Sequence, residues 1–167
     1  SVLLIERLEL ASATTPRAAG LIRNLSTSRG QTSLKTHTLE TIELLSEELE
    51  EPLPWHQVGG LLVAESEANI SHLESLEKHA FKPFGNFQWI ERAEAEEMVP
   101  WLDASKANKF ALLPDDGFID PYLFAQFYAR AAKKHDAVLK TRIEVTALQK
   151  SGNRITGVQT TQGEISA

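Results

Sequence analysis

Cysteine is absent from the 167 residues, which excludes disulfides, thiolate nucleophiles and cysteine-bound metals. Long apolar runs are absent too. No stretch approaches the ~20 residues a membrane-spanning helix needs, and Val2–Ile5 is far too short for the apolar centre of a signal peptide. Basic residues form no stripe of the kind that meets nucleic acid. The net charge is −6, the pI is about 5.4, and the densest basic cluster, Lys133-Lys134-His135, reads as a helix end. The five histidines include no H-x-x-x-H or H-x-H pattern, and His72 and His79 stand two helical turns apart, so no metal site is expected. A Gly-x-Ser-x-Gly elbow is missing, so Ser26, Thr27, Ser28 and Ser33 read as loop residues rather than hydrolase nucleophiles.

What is present suits one soluble domain or two small ones, with 42% hydrophobic and 24% charged residues. Val2-Leu3-Leu4-Ile5 reads as a buried strand ending in the acid Glu6, followed by the small-residue loop Ala11–Gly20. The second strand of a dinucleotide-binding fold ends this way, its terminal carboxylate accepting hydrogen bonds from both ribose hydroxyls. The strand and G-x-G-x-x-G turn that open such a fold do not precede Glu6 here, and a merely solvated strand end is the plain alternative.

Apolar spacing predicts a helix over 38–50 (Leu39, Ile42, Leu45, Leu49), stopped by Pro52 and Pro54. One or two strands follow over 55–64 around Gly59-Gly60, then a helix over 66–80, a strand over 87–90 and a short acidic helix over 92–98. Another strand is expected over 110–113. Asp120-Pro121 is a helix start, with Leu123, Phe124, Phe127 and Ala131 on one face. Four alternating strands close the chain: 137–140, 143–149, 155–161 and 164–167. The acidic clusters Glu47-Glu48-Glu50-Glu51 and Glu94-Glu96-Glu97 read as solvated helix faces. Trp55, Trp89 and Trp101 are expected to pack the middle sheet. His56 reads as structural, with a place facing a substrate cavity as the alternative.

Three stretches together resemble the FAD-dependent oxidoreductases of the D-amino-acid oxidase type, within them the sarcosine and dimethylglycine dehydrogenase branch. They are Val2–Arg7 with Ala11–Leu21; Val58–Ala64; and Asp116-Gly117-Phe118-Ile119-Asp120-Pro121, followed by Ala137–Lys140, Val145 and Ile155–Val158. The resemblance implies an α/β fold. A FAD-binding Rossmann-like domain (1–49 and 116–167), lacking its first strand and glycine-rich turn, would carry an inserted α+β substrate domain (50–115) with a mixed or antiparallel sheet. The chain would be an interior segment.

By position, the resemblance assigns Glu6 to the adenosine ribose and Arg7 to the neighbourhood of the adenine. It assigns Thr14 and Thr15 to the pyrophosphate or ribityl chain, and Ala18, Ala19, Gly20 and Leu21 to close backbone approach to the flavin. The backbone of Val145 would meet the adenine edge. Pro16-Arg17 stands where some members carry the tryptophan-histidine pair that tethers FAD. A guanidinium stays protonated and forms no such link, so non-covalent FAD is expected. Arg17 then faces the reduced flavin or a substrate carboxylate, or is a plain surface arginine.

The implied activity oxidises the C–N bond of a secondary or tertiary amine, or of an amino acid, by hydride transfer to flavin, with hydrolysis of the imine. No catalytic residue is assigned. Oxygen or an electron-acceptor protein would reoxidise the flavin. The setting would be cytoplasmic, or the mitochondrial matrix in a eukaryote. Two rivals stand beside this reading: a cofactor-free structural or interaction fragment, and an NAD-dependent dehydrogenase. Apolar edges along Val2–Ile5 predict a homo-oligomer or a substitute strand partner.

Overall fold

The computed structural model describes residues 2–52, 55–80 and 85–167. In chain order these form β1 (Leu3–Ile5), β2 (Leu21–Ile22), α1 (Arg29–Leu49), β3 (Trp55–Gln57), β4 (Gly60–Ala64), α2 (Glu67–His79), β5 (Gln88–Ile90) and α3 (Arg92–Met98). There follow β6 (Lys109–Leu113), β7 (Gly117–Ile119), α4 (Pro121–Lys134), β8 (Val138–Lys140), β9 (Val145–Ser151), β10 (Arg154–Thr160) and β11 (Gly163–Ser166). The chain divides into two compact units. One comprises the residues through Ala19, Glu48–Glu51 and Asp120 onward; the other comprises Gly20–Glu47 and Pro52–Ile119.

In the first unit β1 and β8 pair in parallel, Leu3 opposite Val138 and Ile5 opposite Lys140. α4 precedes β8 and begins as its sequence dictates. The Asp120 carboxylate accepts the amides of Tyr122 and Leu123 at 2.9 and 3.0 Å, and Pro121 occupies the first turn, where no amide is needed. Phe127 and Ala131, four residues apart, form its buried stripe. β9, β10 and β11 form an antiparallel meander with β10 in the centre. The strand β1 departs from the expectation of burial: Val2, Leu3 and Leu4 are exposed, because β8 is the sole strand partner of β1 among the described residues.

The second unit holds two antiparallel sheets, ordered β2-β7-β3 and β4-β6-β5. Gly59, at φ +78°, divides the apolar run 55–64 into β3 and β4, which join different sheets. β6 serves two cores by strict alternation. Ala111 and Leu113 pack with Leu25, Ala64, Leu73 and Leu76, while Phe110 packs with Ala95, Ala104 and Ala107. The helices α2 and α3 begin and end close to the expected bounds. Trp101, expected in the sheet packing, is instead 86% exposed, in the turn after α3.

α1 starts nine residues earlier than apolar spacing indicates, so Ser33, read as loop, is helical. The reason is chemical. The buried positions of its first turns are Thr32 and Thr36, not hydrocarbons. The Thr32 hydroxyl receives the Ser26 amide at 3.1 Å and donates toward the Ser28 carbonyl at 3.2 Å. A polar seam of this kind leaves no hydrophobic period to read. Of the two prolines expected to stop this helix, Pro52 follows its end and Pro54 lies outside the described residues.

Candidate functional site

Glu6 stands just past the C-terminal end of β1, the end at which open parallel sheets receive ligands. Its amide donates to the Lys140 carbonyl at 2.9 Å, and its carbonyl accepts the Ile143 amide at 3.0 Å, extending the parallel pairing beyond β1 and β8. One carboxylate oxygen accepts the Leu8 amide at 2.9 Å, a short turn that fixes the side chain. Among the described residues the other oxygen has no hydrogen-bond partner. The Arg142 amide donates to the Leu8 carbonyl, and its guanidinium pairs with Glu9 at 2.5 Å, which locks the turns after β1 and β8 together. Val145 opens β9 two residues beyond buried Ile143 and is exposed, on the edge strand of its sheet. The structure therefore brings Glu6 and the approach to Val145 into one neighbourhood. Arg7 is exposed beside them.

Thr14, Thr15, Arg17, Ala18 and Ala19 lie exposed in the same unit. Thr15-Pro16-Arg17 form a single 3-10 turn packed on α4, and Gln126 of α4 donates to the Leu10 carbonyl at 3.3 Å just before it. The turn uses two amides internally: Arg17 to the Thr14 carbonyl at 3.0 Å and Ala18 to that of Thr15 at 3.2 Å. Ala19 and Gly20 lie outside the internal hydrogen bonds of this turn. Gly20, at φ +70°, adopts a backbone that favours glycine. It belongs with Leu21 to the second unit, where its carbonyl accepts the Ile119 amide at 2.9 Å and Leu21 pairs with Phe118.

Sequence reasoning missed the polar network behind β2. Asp116 is 4% exposed, and its carboxylate accepts the Asn24 amide at 2.8 Å. The Thr36 hydroxyl of α1 in turn donates to the Asn24 side chain at 3.2 Å. Burial pushes the Asp116 carboxyl above the usual aspartate range, against the Asn24 hydrogen bond and the positive charges of Arg23 and Lys35. Gly60 leaves room for it, since a Cβ there would stand 2.9 Å from the carboxylate. The signal in the sequence was an acid directly before the short strand Gly117–Ile119, which itself went unread.

The histidines divide clearly. His79 bonds the Ser75 carbonyl at 2.7 Å within α2, and His135 pairs with Glu48 at 3.0 Å. His56 is exposed on β3 and stacks on Phe118. Among the described residues no group of three or more acids and histidines is placed to hold a metal ion, and no helix is long and apolar enough to cross a membrane.

The open small-residue segment and the acid at the strand end fit a dinucleotide such as FAD. Comparison with known proteins points the same way. The family model described as "FAD dependent oxidoreductase" matches residues 1–167. Human mitochondrial dimethylglycine dehydrogenase is 28% identical over 166 residues, covering 99% of this chain and 19% of that protein. Human mitochondrial sarcosine dehydrogenase is 28% identical over 180 residues, covering 97% of this chain and 18% of its own length. The crystal structure of L-proline dehydrogenase from P. horikoshii superposes with a TM-score of 0.84 at 27% identity, over 99% of this chain and 44% of that one. The chain thus spans about a fifth of these curated relatives and less than half of the solved structure.

Proposed function

The chain belongs to the FAD-dependent oxidoreductase family, and from that premise we propose that it forms part of a flavoenzyme oxidising the C–N bond of a secondary or tertiary amine or of an amino acid. FAD, when bound, supplies the acceptor for the hydride leaving the carbon next to nitrogen, and water then hydrolyses the imine product. The chain's residues bind and orient. Glu6 holds the adenosine ribose through its unengaged carboxylate oxygen, with Arg7 near the adenine and the Val145 backbone along its edge. Thr14 and Thr15 face the pyrophosphate or ribityl chain. Ala18 adds little bulk, and Ala19, Gly20 and Leu21 bring main chain close to the flavin ring. Arg17, in place of a tethering histidine, leaves FAD non-covalent and offers a positive charge to reduced flavin or substrate carboxylate. A cytoplasmic setting, or the mitochondrial matrix in a eukaryote, accords with this reading.

The observation that carries the proposal is the position of Glu6: an acid with one oxygen unpartnered among the described residues, at the carboxyl end of a parallel strand pair, beside the turn that leads to Val145. In the holoenzyme, Glu6→Gln should weaken FAD binding by about 1–3 kcal/mol, the worth of charge-assisted hydrogen bonds to the ribose. Titration of apoprotein with FAD measures this. Unchanged affinity would remove the ribose assignment.

A further inference from the structure

We propose that His56, Phe118 and Leu21 form a substrate-recognition wall, in which the Phe118 ring and Leu21 side chain receive the substrate's N-alkyl portion and the His56 imidazole donates to its carboxylate. The three residues come from three strands. Antiparallel register sets Leu21 opposite Phe118 and Phe118 opposite His56. Directly opposed residues share a face of the sheet, so the three form one row across β2, β7 and β3. All are open to solvent: Leu21 is 74% exposed, Phe118 43%, and His56 is likewise exposed. The imidazole lies against the Phe118 ring with centroids 4.7 Å apart and planes 29° from parallel.

The row is held stiffly from behind. Gly117 alternates to the opposite face of β7 and is buried; a Cβ there would stand 2.1 Å from the His56 carbonyl oxygen, so β3 and β7 approach too closely for any side chain. Ile119, next on that buried face, is 6% exposed, and its amide bonds the Gly20 carbonyl at 2.9 Å. Asp116 fixes the segment after β2 through the Asn24 amide. An exposed leucine, an exposed phenylalanine and a stacked histidine thus stand together on one rigid floor.

The chemistry of the row selects its occupant. Two apolar surfaces and one polar edge suit a small molecule with an alkylated nitrogen at one end and an anion at the other. Among the described residues the imidazole nitrogens of His56 have no hydrogen-bond partner, so a donor is free for the carboxylate. The inference rests on the amine-oxidation reading, because Leu21 directly follows the glycine placed beside the flavin there. On that reading the row, which starts at the first residue of β2, lies beside the reacting ring.

The test uses the FAD-loaded enzyme and the fastest reductant of its flavin among N,N-dimethylglycine, sarcosine and L-proline. For His56→Ala we expect KM to rise about tenfold to a hundredfold, with kcat changed less than about threefold and the FAD content unchanged. Spectral titration of the bound flavin with acetate, an unreactive carboxylate, should show a matching loss of affinity. His56→Asn should recover part of both, since it keeps a donor. Phe118→Leu should raise KM without changing acetate affinity. A KM within about twofold of wild type in His56→Ala, with FAD retained, overturns the inference and leaves the amine-oxidation reading standing. If His56→Ala loses FAD, His56→Asn and Phe118→Leu decide; wild-type kinetics or FAD loss in both makes the row structural and overturns the wall. A wild-type flavin that none of the three compounds reduces overturns the amine-oxidation reading itself, and the wall with it.

Discussion

The two units of the chain use similar elements and close them to different degrees. In the second unit, helices cover both faces of the β4-β6-β5 sheet, and its strands alternate cleanly between two apolar clusters. Three of the four largest fully buried side chains, Ile42, Leu113 and Thr32, belong to it; the first unit has Phe127 alone. The first unit instead presents apolar strands to solvent. Val138 is 50% exposed, Leu148 54% and Ile155 50%. An apolar groove of about 650 Å³ runs between the β1-β8 pair and the β10-β11 strands, lined by Val2, Leu3, Val138, Ile155, Val158 and Ile165 among others. Parallel strands are ordinarily covered on both faces, and this pair is not. The difference teaches that the first unit's order depends on a few anchors, Phe127 and the paired turns after β1 and β8, while the second is secured by distributed packing. The open unit is also the one given the adenosine and ribose contacts.

The largest expected effect comes from removing the anchor. Phe127→Ala should cost about 3–5 kcal/mol and, in urea unfolding, should melt the first unit ahead of the second; a single unshifted transition would erase the contrast. Gly117→Ala strikes the second unit at the described glycine where a new Cβ has least room. Its new Cβ forces β3 from β7, for a loss of about 1–3 kcal/mol, and should abolish the His56–Phe118 stack by crystallography while leaving the sheet around β6 intact.

Asp116 sharpens the comparison through pH. Its folded-state pKa is raised, chiefly by burial, so the folded state holds the proton more tightly than the unfolded chain. Its contribution is therefore most favourable below the ordinary aspartate value and declines as pH rises through the raised one. Asp116→Asn should flatten the stability profile across that acidic window, read by thermal melts at a series of pH values. A profile unchanged by the substitution would contradict the buried-carboxylate account. The smallest effect is expected at the surface of the first unit. Arg130 pairs with Glu51 at 2.7 Å, both about half exposed, and Arg130→Ala should cost under about 1 kcal/mol by chemical denaturation.

Helices with an apolar stripe or a clear cap were legible in the chain itself. α4 begins at Asp120-Pro121 because the carboxylate and the ring do locally what a helix start requires. The strands of the final meander lie within a few residues of the ranges expected for them. The elements that escaped are those made by partners. β2 has two residues, too few for any pattern, and β7 is a strand because it lies between β2 and β3. The early turns of α1 were hidden by threonines that bond to a distant loop. The candidate ribose acid is singled out only by its place at a strand end, whereas the row at His56 was invisible because its members are 97 positions apart at the extremes, Leu21 and Phe118.

Residues within a few positions of one another set the starts of α2, α3 and α4, the apolar alternation of β6 and the exclusion of cysteine chemistry. The sequence by itself also carried the order of motifs by which the family is recognised. Only the tertiary structure decided which strands pair, which carboxylate is buried and which aromatic side chains share a face. Those outcomes come from hydrogen bonds and steric contacts between segments distant in the chain, and no local pattern of side chains encodes the register in which distant backbones meet.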